Sequence, residues 1–108
     1  HVPETGVKVL MGRMLDGYSP HMADAPEHRT FVPAAAAEPD KADVVRVLRE
    51  TKADVLLNYL PVGSQEASEF YAECALEAGV ALINNIPVFI ASKPEWAERF
   101  EAAGVPLI

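Results

Sequence analysis

Three apolar runs recur at a near-constant interval along this 108-residue chain. They open at Asp54, Val80 and Val105, about 25 residues apart, which is the length of one strand and one helix joined by short loops. Two parallel strands need a crossover long enough to carry the chain back, and a helix is the usual one. The interval therefore predicts parallel strands with helical, right-handed connections, and with them an α/β fold.

Each unit carries its own start and stop signals. Pro39 and Asp40 suit the first turn of a helix over about residues 40–52, with Val44, Val45, Val47 and Leu48 on its apolar side. The nearly unbroken run Asp54–Leu60 predicts a strand covered on both faces, ended by Pro61-Val62-Gly63. Ser64 is expected to cap the next helix, which buries Ala67, Phe70, Tyr71, Cys74, Ala75 and Ala78. Glu66, Glu69, Glu73 and Glu77 lie on its opposite side, and Gly79 stops it. Val80–Asn84 reads as a second buried strand. Ser92-Lys93-Pro94-Glu95 reads as a capping box for a helix packing through Trp96, Ala97, Phe100 and Ala103. Gly104 ends that helix, and Val105–Ile108 is expected to be a third strand. Upstream, only Val7–Met11 alternates like a strand. The stretch from Gly17 to Pro39, interrupted by Pro20, Pro26 and Pro33, reads as a long surface connection. An irregular segment over residues 1–39 thus precedes a regular αβαβαβ segment over 40–108. Its leading arrangement is a doubly wound parallel sheet of the nucleotide-binding type.

Composition narrows the function. With 50% hydrophobic and 23% charged residues the chain is too apolar for a disordered tail, and no apolar run approaches the length of a membrane span. Most of the net charge of −7 falls beyond residue 37, so neither nucleic acid nor a membrane is an expected partner. The single Cys74 cannot build a disulfide framework and no secretory leader is visible, so a cytoplasmic setting is expected. A start at His1 and an apolar end suggest a piece of a longer protein.

Open parallel sheets bind ligands outside the carboxyl ends of their strands, which singles out the loops Leu60–Ser64 and Asn84–Pro87. Gly63 would let a ligand approach the backbone, Ser64 opens a helix whose amides favour an anion or amide, and Asn58, Asn84 and Asn85 can each donate and accept. Helix capping and turn formation explain the same residues without a ligand. Neither a Gly-x-Gly-x-x-Gly nor a Gly-Lys-Ser/Thr loop occurs, so a phosphate grip must lie elsewhere. His21, Asp24, Glu27 and His28 match no metal-ligand spacing and read as solvated loop residues; no metal is expected. Cys74 lies on an apolar stripe and reads as a packed thiol, Trp96 and Phe100 as core, and Lys93 as a surface residue. The Tyr71 hydroxyl could reach the sheet or a ligand.

The stretch from Asp54 through Leu60-Pro61-Val62-Gly63-Ser64 and Phe70-Tyr71-Ala72 to Ala81 resembles the inositol-phosphate synthase family. Asn85-Ile86-Pro87-Val88-Phe89-Ile90-Ala91-Ser92, with Pro94, Trp96-Ala97, Phe100 and Val105-Pro106, extends the likeness without a gap from about residue 40 to 108. The actinobacterial type is the most similar, and Val7-Lys8-Val9 and Leu15-Asp16-Gly17 also look like family strings. The resemblance implies a Rossmann domain holding NAD, of which this chain would be the second half, in an enzyme that isomerises glucose 6-phosphate to inositol 3-phosphate, usually as a homotetramer. It further implies that Tyr71 and Thr51 fall at cofactor-associated positions, beside Gly63 and Ser64 in the loop the sheet rule selects. The family's Gly-rich loop would lie before His1, and its Gly-Asp-Asp-x-Lys-Ser motif and catalytic lysines after Ile108. No catalytic residue is expected within the chain, which alone should be inactive and bind NAD⁺ weakly or not at all. Another NAD(P)-dependent sugar or semialdehyde dehydrogenase, or a non-catalytic Rossmann-like binding domain, are the alternatives.

Overall fold

A computed structural model of the chain describes residues 3–24, 26 and 34–108. After a 3-10 turn at Pro20–Met22 the order is α1 (Lys41–Glu50), β1 (Val55–Asn58), α2 (Gln65–Ala78), β2 (Ala81–Asn84) and α3 (Pro94–Ala103). β1 and β2 pair in parallel, Val55 opposite Ala81 and Asn58 opposite Asn84. The third apolar run reaches the far side of β2 as a single parallel bridge, Leu82 to Leu107, flanked by Leu82 N–H donating to Pro106 O and Asn84 N–H to Ile108 O. The expected third strand is thus present as a single bridge and not as a full strand.

The α/β class and the parallel pairing match the spacing, but the expected two-sided cover does not. All three helices lie on one face. Leu56 and Leu82 point into them, where Leu82 is buried with Ala72, Ala75, Ile90, Trp96 and Phe100. A second cluster joins Val45 and Leu48 of α1 to Cys74 and Val80. On the other face Val55, Leu57 and Tyr59 are 45%, 52% and 73% exposed. An apolar run specifies a strand without saying which of its faces the same chain will cover. Val7–Met11 forms no strand either. Val7 and Val9 are exposed, and a strand needs a neighbour to complete its hydrogen bonds.

Local signals set most helix ends. Asp40 caps α1 from just outside: its Oδ1 accepts from Asp43 N–H at 2.9 Å, and the Asp43 carboxylate accepts from Asp40 N–H in return. Gly79 and Gly104 take the left-handed conformation that ends α2 and α3. The Ser92 capping box does not form. Lys93 holds the N-cap position with no side-chain cap, and Pro94 opens the helix, where a missing N–H costs nothing. Lys93 is also not a plain surface residue, since its Nζ lies 2.8 Å from Glu69 Oε1.

The glutamates of α2 face neighbouring helices as much as solvent. Arg99 of α3 makes a two-pronged contact with Glu73 at 2.6 and 2.8 Å, and Lys41 of α1 reaches Glu77 at 2.7 Å. The Arg99 hydrogen bond holds the Glu73 carboxyl below its usual range. Cys74 is fully buried, as its apolar stripe predicts, and burial pushes its thiol up to about 11. Because an unfolded thiol ionises near its ordinary 9.0, stability is expected to be whole below that pH and to fall as pH rises toward 11. Denaturant titration at pH 8 and pH 10.5 checks this, and Cys74→Ala should flatten the decline. Lys52, just past α1, has φ of 53°, a left-handed conformation that costs a side chain about 1 kcal/mol. Lys52→Gly is expected to raise the thermal midpoint by a few degrees, read by circular dichroism.

Candidate functional site

The carboxyl ends of β1 and β2 are tied together by an amide pair, the buried Asn58 and the half-buried Asn84. Asn58 Nδ2 donates to Asn84 Oδ1 at 2.9 Å and to Ser68 Oγ at 3.0 Å, while its Oδ1 accepts from Leu60 N–H. Asn84 Nδ2 donates to the carbonyls of Ile86 and Val88. Both amides are therefore committed within the chain, so these two asparagines shape the loops after the strands and hold nothing in front of them. Asn85 is exposed, and its amide donates to Ile83 O at 3.4 Å.

A cleft of about 430 Å³ opens between the Leu60–Ser64 loop, the first turns of α2 and the upstream segment from Met11 to Tyr18. That segment is anchored on α2 twice. The Tyr71 hydroxyl accepts from Arg13 N–H at 2.8 Å and so clasps the upstream segment across the cleft, while the half-buried residue also lies beside β1 and the Leu60 loop. Burial pushes the Tyr71 phenol above its ordinary range. The second anchor is Asp16, whose Oδ2 accepts from Glu66 N–H at 2.7 Å and Oδ1 from Ala67 N–H at 3.0 Å. The carboxylate thus caps α2 from fifty residues away in sequence, where negative charge is favoured by the unpaired amides and the helix dipole.

Ser64 does not cap α2 with its hydroxyl. Its φ and ψ of −83° and 61° turn the side chain beneath the Asp16 turn, where the residue is 1% exposed and Oγ has no hydrogen-bond partner among the described residues. Gly17 makes this possible: with φ of +77°, a Cβ there would stand 2.0 Å from Ser64 Oγ.

The structure thus brings Ser64 and Tyr71 to one cleft, together with Asp16 and Gly17. Gly63 sits next door in the same loop, exposed, with φ of +98°. Thr51 stands apart at the C-cap of α1, before the amino end of β1, where its hydroxyl donates to Val47 O at 2.8 Å. Asp16 is the residue that sequence reasoning passed over. Its Leu-Asp-Gly string was visible, but no local rule places a loop carboxylate on a helix so distant. A second cleft, of about 500 Å³, lies between the same upstream segment and α1, and Tyr71 lines both. Among the described residues no group of three His, Cys, Asp or Glu side chains could hold a metal. Of the upstream cluster, Glu27 and His28 lie outside the described residues, and the His21 ring pairs with Ser19 Oγ at 2.6 Å. No helix among the described residues is long and apolar enough to cross a membrane.

The cleft opens at the carboxyl ends of a two-strand parallel sheet in a small α/β unit, the place where open sheets of this kind bind ligands. Over 107 residues, 99% of its length, the chain is 50% identical to the inositol-3-phosphate synthase of Corynebacterium glutamicum. The figures for the enzymes so named in Mycolicibacterium smegmatis and Mycobacterium tuberculosis are 53% and 51% over the same share of the chain. The chain spans 27% of the length of these relatives. It is therefore similar throughout to one segment of inositol-3-phosphate synthases, as its motifs implied. The crystal structure of Ari2 matches 67% of this chain and 22% of its own, with a TM-score of 0.63 at 51% identity. No family model matches.

Removing the Tyr71 hydroxyl should release the upstream segment without unfolding the helices. Tyr71→Phe is expected to speed hydrogen exchange at the Arg13 amide about fivefold, consistent with loss of one hydrogen bond of about 1 kcal/mol, while amides of α2 keep their protection.

Proposed function

We propose that this chain is the part of an inositol-3-phosphate synthase that completes its NAD site, in an enzyme that isomerises glucose 6-phosphate to inositol 3-phosphate. The observation that carries the reading is the 50% identity to an enzyme of that name running through 99% of the chain. In such a reaction bound NAD⁺ would supply a hydride acceptor and later return the hydride. The residues present fit a dinucleotide: an apolar cleft sits at the carboxyl edge of a parallel sheet, and the buried Ser64 Oγ beside it lacks a partner among the described residues. Ser64 and Tyr71 would line the cofactor site, with Gly63 in the adjoining loop. Thr51, on the other end of β1, could serve it only through the rest of the enzyme. Groups acting on the sugar would come from outside these residues, and no metal is assigned.

The same reading makes the sheet one half of a doubly wound Rossmann arrangement. Exposure of Val55, Leu57 and Tyr59 supports it, since a second layer of helices would cover that face. A cytoplasmic homotetramer belongs to the reading as well.

A chimera tests it. The corresponding segment of the Mycolicibacterium smegmatis synthase is replaced by this chain, and formation of inositol phosphate from glucose 6-phosphate and NAD⁺ is measured. Activity within about tenfold of the parent is expected. A folded, NAD-binding but inactive chimera would favour the dehydrogenase alternative, and a folded chimera that binds no NAD⁺ would overturn the reading.

A further inference from the structure

The start of α2 is where a phosphate would be expected to bind in a sheet of this kind, because unpaired amides and the helix dipole converge there. Here that place is taken. Two of the amides of this first turn, Glu66 N–H and Ala67 N–H, donate to the Asp16 carboxylate at 2.7 and 3.0 Å. A phosphate at this spot would have to displace a carboxylate already bound twice, or sit beside it and meet its charge. The cationic group at the cleft, the Arg13 guanidinium, has its Nε 3.7 Å from Glu38 Oε2, and the Arg13 main-chain N–H donates to the Tyr71 hydroxyl.

What remains accessible is mostly apolar. Met11, Met14, Met22, Leu60, Pro61 and Ala67 line the 430 Å³ space. Thioethers and a proline face suit a flat, polarisable ring. The one buried side-chain polar atom left without a partner among the described residues is Ser64 Oγ, and it belongs to this lining. A hydroxyl in such a wall costs free energy until an acceptor meets it, which a ring nitrogen or carbonyl can do. Small movement of Gly17, which shields it at close range, would expose the hydroxyl.

We propose that Asp16 is a specificity-determining residue that closes the α2 N-terminus to phosphate, so that the cleft takes an uncharged heteroaromatic ring, as in a nucleoside. The inference rests on reading this cleft as part of a cofactor site, and it adds which portion of the cofactor enters. The phosphates of a dinucleotide then lie away from α2, and Gly17 keeps the Asp16 turn seated by leaving room for Ser64.

Two probes, adenosine and inorganic phosphate, test this on the isotope-labelled protein by NMR. In the unsubstituted chain, adenosine at millimolar concentration should shift the methyl signals of Met11, Met14 and Met22 and the ring signals of Tyr71. Phosphate should leave the Glu66 and Ala67 amides unmoved. In Asp16→Ala phosphate should shift those two amides and bind about tenfold or more tightly than in the unsubstituted chain, the factor expected from removing one nearby charge. Should Asp16→Ala unfold, Asp16→Asn keeps the shape and one acceptor oxygen and should show the same gain, smaller in size. Phosphate binding at Glu66 and Ala67 in the unsubstituted chain would overturn the proposal. So would no gain in the folded variant, or adenosine that leaves Tyr71 and the methionines unshifted. Failure of the broader reading looks different: adenosine would still bind while the chimera described above bound no NAD⁺.

Discussion

Everything in this chain leans on α2. It is packed against α1 on one side and α3 on the other, and it covers both strands from above. Its fully buried Ala72, Cys74 and Ala75 are small, so neighbouring backbones approach closely on three sides at once. Larger residues here would push the layers apart, because a close-packed interior has no slack to absorb added volume. The glutamates extend the same role outward: Glu73 reaches Arg99 and Glu77 reaches Lys41, linking three helices through one. These exposed pairs contribute little energy each, and alignment is their main effect.

The same helix organises the site. Its first turn receives Asp16, its second presents Tyr71 to Arg13, and Ser68 on the buried side meets Asn58 below. The Asn58–Asn84 pair then fixes the loops that leave the two strands. A buried amide network of this sort is favourable only when every donor and acceptor is matched, and here each is. The cleft is thus bounded by groups whose polar needs are met within the chain, which leaves Ser64 Oγ as its unmatched element.

Legibility of the sequence followed the range of the interactions concerned. Elements stabilised by neighbours a few residues away were readable: Asp40 with Asp43, Gly79 and Gly104 as left-handed stops, and the apolar periodicity of α2. Where two local options competed, tertiary context chose. Ser92 and Ser64 both look like caps, yet Pro94 shifts the first helix start by one residue and Asp16 takes over the second. Asn58 and Asn84 looked equally able to face a ligand or the chain, and only their approach to each other across the β1–β2 register settled it in favour of the chain.

By itself the sequence determined the α/β class, the parallel pairing and the likeness to a segment of inositol-3-phosphate synthases, because spacing, periodicity and motif strings are properties of order along the chain. Tertiary structure alone decided that one sheet face is covered and the other is not, and that Tyr71 clasps the upstream segment. It also decided that the anion position at α2 belongs to Asp16. Each of these is a meeting of groups far apart in sequence, and such a meeting is set by the packing of whole elements, which no local pattern encodes.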